Sequence, residues 1–76
     1  MSPKLPVARS RDVIRIAHKL GFVLDRQKGS HAVYLRPADR ARVVIPVHTG
    51  RDLKPKTLLS IVEDLGLTIE EFVEML

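Results

Sequence analysis

Apolar residues recur at helical spacing near the start of the chain and at two-residue spacing through its middle, and this change of period sets the predicted architecture. Between Ser10 and Leu20, the residues Val13, Ile14, Ala17 and Leu20 share one helical stripe, while Arg11, Arg15, His18 and Lys19 stay mostly outside it. Ser10 is the expected N-cap, Asp12 suits the positive helix start, and Gly21 can take the left-handed conformation that ends a helix. Pro3 and Pro6 make the first nine residues an extended lead-in that cannot be helical throughout. His18 reads as a surface residue on the polar side of this helix.

A strand is expected from Phe22 to about Gln27, because a β-branched start directly after glycine does not continue the helix. Lys28-Gly29 then forms a turn, "SHAVYLR" a second strand, and "PADR" a tight turn headed by proline. "ARVVIPV" is the third strand, whose Pro46 suits an edge strand or a strand end. Tight turns make the three strands an antiparallel meander. Alternation groups His31 with Val33 and Leu35, and Ala32 with Tyr34, so one expectation puts His31 on the rim of the core face. After the basic loop "HTGRDLKP", Leu58, Leu59, Ile61, Val62 and Leu65 form the apolar side of a helix with Pro55 in its first turn and Gly66 as its stop. Thr68, with Glu71 three residues on, is a capping box opening a short third helix that carries Ile69, Phe72, Val73 and Leu76. The sum is an α+β layer with helices on one sheet face.

Composition bounds what such a chain does. Seventy-six residues make one domain, spanning 1–76, and a chain this short buries only about 60% of its unfolded surface, so its stability should be roughly 4 to 11 kcal/mol. With no cysteine, disulfides, thiolate zinc sites and thiol nucleophiles are excluded. No apolar run approaches the ~18 residues of a membrane span, which makes the cytoplasm the default location and a membrane partner unexpected. Charge is unevenly spread: residues 1–59 hold all 13 Lys and Arg against Asp12, Asp25, Asp39 and Asp52, a net of +9, and residues 60–76 hold five carboxylates and no cation, so the whole is +4. Such asymmetry favours a polyanionic partner, nucleic acid above all.

The candidate chemistry is oxygen and nitrogen chemistry. His18, His31 and His48 have neither metal-ligand spacing nor acidic neighbours of the usual kind, so neither a metal nor another cofactor is expected. "QKGS" is turn chemistry rather than a phosphate-binding glycine loop. Imidazole has an ordinary pKa of about 6.5 and exchanges protons near neutral pH, as RNA cleavage requires when the 2′-hydroxyl attacks or the 5′-oxygen leaves. Lys28 beside the turn, and Arg51, Lys54 and Lys56 in and after the loop, are cations in reach of a phosphate. Tyr34 is open to two roles, base stacking or packing, and each histidine also has an ordinary surface role.

"GFVLDRQKGSHAVYLR", "VVIPVH" and "DLKPKTLLSIVEDLGLTIEEF" together resemble the HicA family of small mRNA interferase toxins, also described as YcfA-like. The resemblance runs from about Ser10 to Phe72 and is most specific at Gly21-Phe22, Lys28-Gly29-Ser30-His31, Pro46-Val47-His48 and Leu53-Lys54-Pro55 before Thr57. It implies a fold like the double-stranded RNA-binding domain: helix, three-stranded antiparallel sheet, helix, plus a short C-terminal helix here. It implies the endoribonuclease toxin of a type II toxin-antitoxin pair, cutting mRNA to stop translation, with a HicB-like antitoxin covering the active site. The family's catalytic histidine falls on His31, and His48 matches the motif's second histidine. Lys56 departs from the glycine that family members often place there, which bears only on local RNA or antitoxin contacts.

The leading expectation is thus a metal-independent ribonuclease with His31 as general acid or base. Ser30 and Lys28 would position or neutralise phosphate, and the stretch from Arg51 to Lys56 would hold the RNA backbone. The rivals are a non-catalytic RNA-binding module and a protein-interaction module of the same fold.

Overall fold

The computed structural model describes residues 4–76 as α1 (Ser10–Lys19), β1 (Val23–Lys28), β2 (His31–Arg36), β3 (Ala41–Pro46), α2 (Pro55–Asp64) and α3 (Ile69–Met75). The strands form one open antiparallel sheet in the order β1-β2-β3. This is the expected α+β architecture, consistent with a double-stranded RNA-binding-domain-like fold. Lys4 to Ala8 form neither helix nor strand, consistent with Pro6, and the part of the lead-in containing Pro3 lies outside the described residues.

Helix α1 begins one residue earlier than expected. Arg9, not Ser10, is the N-cap, and its amide donates to the Asp12 carboxylate at 2.9 Å. Pairing of the lead-in with a later loop, through an Arg9–Asp52 bridge and a Leu53 N–H to Ala8 carbonyl bond of 2.9 Å, fixes the approach and leaves Ser10 buried as the first helical residue. Val13, Ile16 and Ala17 face the core, with Ile14 and Leu20 packed against it. Ile16 is thus more central to the stripe than Ile14. At the far end Gly21 has φ +90°, Phe22 N–H donates to Ala17 O at 2.9 Å, and Gly21 N–H to His18 O at 3.1 Å. This double closure satisfies carbonyls the helix leaves unpaired and delivers the Phe22 ring into the core.

The sheet is two-faced. Ala32 and Tyr34 of β2 stand opposite Ile45 and Val43 of β3, and all four are buried. His31, Val33 and Leu35 stand opposite Pro46, Val44 and Arg42 on the other face. The expectation that His31 lies on the rim of the core face is therefore corrected: the smaller Ala32-Tyr34 set is the core set, and His31 is exposed. Of the two roles open to Tyr34, packing is the one the fold supports, with the ring only 6% exposed and edge-on to His18 at 5.7 Å. His18 is exposed as expected but is not idle, because it shields that ring. Strand limits shift by about one residue: Phe22 precedes β1, Lys28 belongs to it, and Gly29-Ser30 is the turn. Pro46 ends β3, an edge strand, where its missing N–H is harmless.

The β2–β3 turn is held by charge. Arg36 donates to both Asp39 carboxylate oxygens, at 2.9 and 2.8 Å, while its guanidinium lies 4.7 Å over the Phe22 ring and donates to Leu20 O at 3.2 Å. These hydrogen bonds, and one from the Ala41 amide, pull the Asp39 carboxyl down to about 2. A carboxylate depressed on folding contributes stability that is present above its unfolded pKa and lost as pH falls through the folded value, here from about pH 4 to about 2. Asp39→Asn should therefore flatten the acid limb in that window, as read from denaturation midpoints of variant and wild type at stepped pH.

Helix α2 starts on Pro55 and closes at Gly66, φ +78°, by the same paired bonds as α1, to Glu63 O at 2.9 Å and from Leu67 N–H to Val62 O at 3.2 Å. The expected capping box is present: Glu71 N–H donates to Thr68 Oγ1 at 3.1 Å, and Thr68 N–H to Glu71 Oε1 at 2.9 Å. It directs α3 so that Phe72 is fully buried in the common core.

Candidate functional site

His31 is the first residue of β2, and antiparallel pairing brings Lys28 of β1 and Pro46 of β3 to either side of it. A short 2.6 Å bond from Val47 N–H to Ser30 O zips this end of the sheet, so the chain leaving β3 passes alongside His31. His48 follows within two residues. The loop then turns at Gly50, φ +76°, which an L side chain resists, and doubles back through Arg51 to the start of α2. Its return is anchored by the largely buried Leu53, by the Leu53–Ala8 backbone bond and by Arg9 Nε to Asp52 Oδ1 at 3.5 Å.

The result is a cavity of about 320 Å³ with an apolar floor of Pro46 and Leu53 and polar walls of His31, His48, Arg51, Asp52, Lys54 and Thr57. Residues 31, 48, 51 and 54 come from a strand, a loop and a helix cap, yet they share this one space. His31, His48, Arg51 and Lys54 are all exposed. Among the described residues the ion pairs are Arg9–Asp52 and Arg36–Asp39. Arg51, Lys54 and Lys28 are therefore unpaired with any described carboxylate and present net positive charge to this end of the molecule. Two imidazoles able to carry protons and two cations able to hold an anion meet at a concave surface.

The other expected site residues stand around the cavity rather than in it. Lys28 flanks His31 across the β1–β2 pair without lining the space, and Ser30 is half-buried in the turn, where its carbonyl does the zipping. Lys56, the second residue of α2, is exposed outside the lining, and Tyr34 lies in the core. Asp52 and Thr57 were not expected as lining residues. Thr57 stands in the "LKPKT" run, so its position was visible there. Asp52 gave no local signal, because its partner Arg9 lies 43 residues away. No group of three or more His, Asp or Glu gathers to hold a metal among the described residues. Among the same residues, no helix is long and apolar enough to cross a membrane.

A family model described as the HicA toxin of bacterial toxin-antitoxin systems matches residues 10–67. That span includes His31 and every residue lining the cavity around it. No curated protein matches the chain. The matched span, carried on the helix, three-stranded sheet and helix described above, places this chain in the HicA family: it is the toxin of a toxin-antitoxin system.

Proposed function

We propose that this toxin is an endoribonuclease that cleaves mRNA in the cytoplasm and so stops translation, with a HicB-like antitoxin as its restraining partner. The observation that carries the reading is the convergence of His31, His48, Arg51 and Lys54 on one open cavity. In this reading a 2′-hydroxyl of the RNA attacks the adjacent phosphorus, the bond to the 5′-oxygen breaks, and the products are a 2′,3′-cyclic phosphate and a 5′-hydroxyl. His31 either takes the proton of the attacking hydroxyl or gives one to the leaving oxygen, and His48 performs the complementary transfer. Arg51 and Lys54 offset the charge that builds on the non-bridging oxygens, and side chains alone supply the proton transfers. Lys28, Ser30 and Lys56 guide the backbone on either side.

The test is incubation of purified protein with a defined mRNA, followed by mapping of the new ends. New 5′-hydroxyl ends support the reading, and RNA that is bound but never cut leaves a non-catalytic RNA-binding module in its place. Salt dependence gives a second check. With four cations on single-stranded backbone, Lys28, Arg51, Lys54 and Lys56, binding should weaken roughly fiftyfold between about 50 and about 200 mM salt. An apparent KM that does not move across that range speaks against these side chains as the RNA clamp.

A further inference from the structure

Beside the His31 cavity lies a second cleft of about 270 Å³, between the start of α1 and the loop that follows β3. His48 lines both, so the two cavities adjoin at its imidazole. Ile14 and Val47 give the second cavity an apolar wall, and Arg9 and Arg11 give it positive charge. Arg11 has no described carboxylate in ion-pair range.

Ser10 is the informative residue. It is a buried polar side chain, only 5% exposed, and it lines this cleft. Its hydroxyl makes no hydrogen bond within the described fold. Among the described residues no side-chain polar atom is both sealed from solvent and unpartnered, so this hydroxyl retains some exposure, and the cleft is the space its residue lines. The hydroxyl thus keeps its bonding capacity for whatever occupies the cleft, water or a ligand group. The aliphatic wall, the unpaired Arg11 and the hydroxyl together match a nucleotide: an apolar face for the base, donors for the phosphate.

We propose that this cleft is a second RNA subsite, which holds a nucleotide adjoining the one cleaved at His31. Ser10 Oγ and the Arg11 guanidinium take its phosphate, and the Ile14–Val47 wall takes one face of its base. At about 270 Å³ the space lies just below the ~300 Å³ at which small-molecule pockets begin, room for one nucleotide and not for a duplex. This subsite rests on the ribonuclease reading above, and it makes the start of α1 a determinant of which RNA is held.

The experiment uses 2′-O-methyl RNA, which cannot be cleaved, as a dinucleotide and as a pentanucleotide, titrated into the protein by NMR. Ser10→Ala and Arg11→Gln should each weaken pentanucleotide binding about fivefold to tenfold and leave dinucleotide binding unchanged, because the single phosphate of the dinucleotide sits at His31 and only the longer strand brings a second phosphate to Ser10 and Arg11. Ser10→Ala should not lower Tm, since the hydroxyl has no internal bond to lose, which separates a lost contact from a lost fold. Equal weakening of both lengths, or none, overturns the subsite while RNA binding itself stands. If the wild type binds neither oligonucleotide, the ribonuclease reading falls and the subsite falls with it.

Discussion

His31→Ala should abolish both mRNA cleavage and growth arrest when expressed in a bacterial host, while the variant folds and accumulates like the wild type. Losing a positioned general acid or base costs about 10² to 10⁴ in rate. Structural damage should be negligible, because His31 is exposed at the start of β2, outside the buried Ala32-Tyr34 set, and makes no side-chain hydrogen bond within the described fold. Substitutions at surface positions of this kind usually change stability within about 0.5 kcal/mol. The measurements are growth after induction, integrity of a reporter mRNA, and the denaturation midpoint of both purified proteins. A folded, equally abundant variant that still cuts RNA would remove His31 from the chemistry and move attention to His48 across the same cavity. A wild type that neither cuts nor arrests growth would leave RNA or partner binding as the activity of this fold.

The largest effect on stability is expected at Phe72→Ala. Phe72 is fully buried, so its truncation should cost about 3 to 5 kcal/mol in lost transfer energy and residual cavity. Against the roughly 4 to 11 kcal/mol expected for a chain of this length, that unfolds a large fraction of the protein. The result bears on more than one side chain, because the family match ends at residue 67 and α3 lies beyond it. The short helix is part of the core rather than an appendage, directed there by the Thr68–Glu71 capping box. Val73, the next residue on α3, is 46% exposed and serves as the control, since Val73→Ala should change stability by less than about 1 kcal/mol. Urea titration of the two variants makes the comparison. A Phe72→Ala midpoint indistinguishable from that of Val73→Ala would show that α3 contributes little to the folded state.

Local signals were sufficient for most of the architecture. Helical periodicity marked α1 and α2, alternation marked β2 and β3, and Gly21 and Gly66 marked helix ends that the backbone indeed closes in the left-handed conformation. Each of these acts over four or five residues, so a linear reading reaches it. The errors were of another kind. Ser10 has the chemistry of an N-cap, but contact of Ala8 and Arg9 with Asp52 and Leu53 moved the helix start by one residue. Alternation sorted β2 correctly into two sets, yet nothing local says which set meets the helices, and that choice put His31 in solvent and Tyr34 in the core.

The candidate site divides along the same line. The amino-acid sequence by itself determined the inventory: an α+β chain without thiols, a basic stretch opposed to an acidic end, and histidines set in motifs of the HicA family. Tertiary structure alone decided the grouping. Register of β2 against β3, the Ser30–Val47 bond and the return of the loop onto Ala8 and Arg9 brought His31, His48, Arg51 and Lys54 to one cavity and excluded Lys28 and Lys56 from its lining. The same return placed Asp52 beside Arg9 and left Ser10 lining the neighbouring cleft without a side-chain partner among the described residues. The physical reason is distance along the chain: residues separated by tens of positions meet only after the sheet has paired and the core has closed, and no local propensity encodes that meeting.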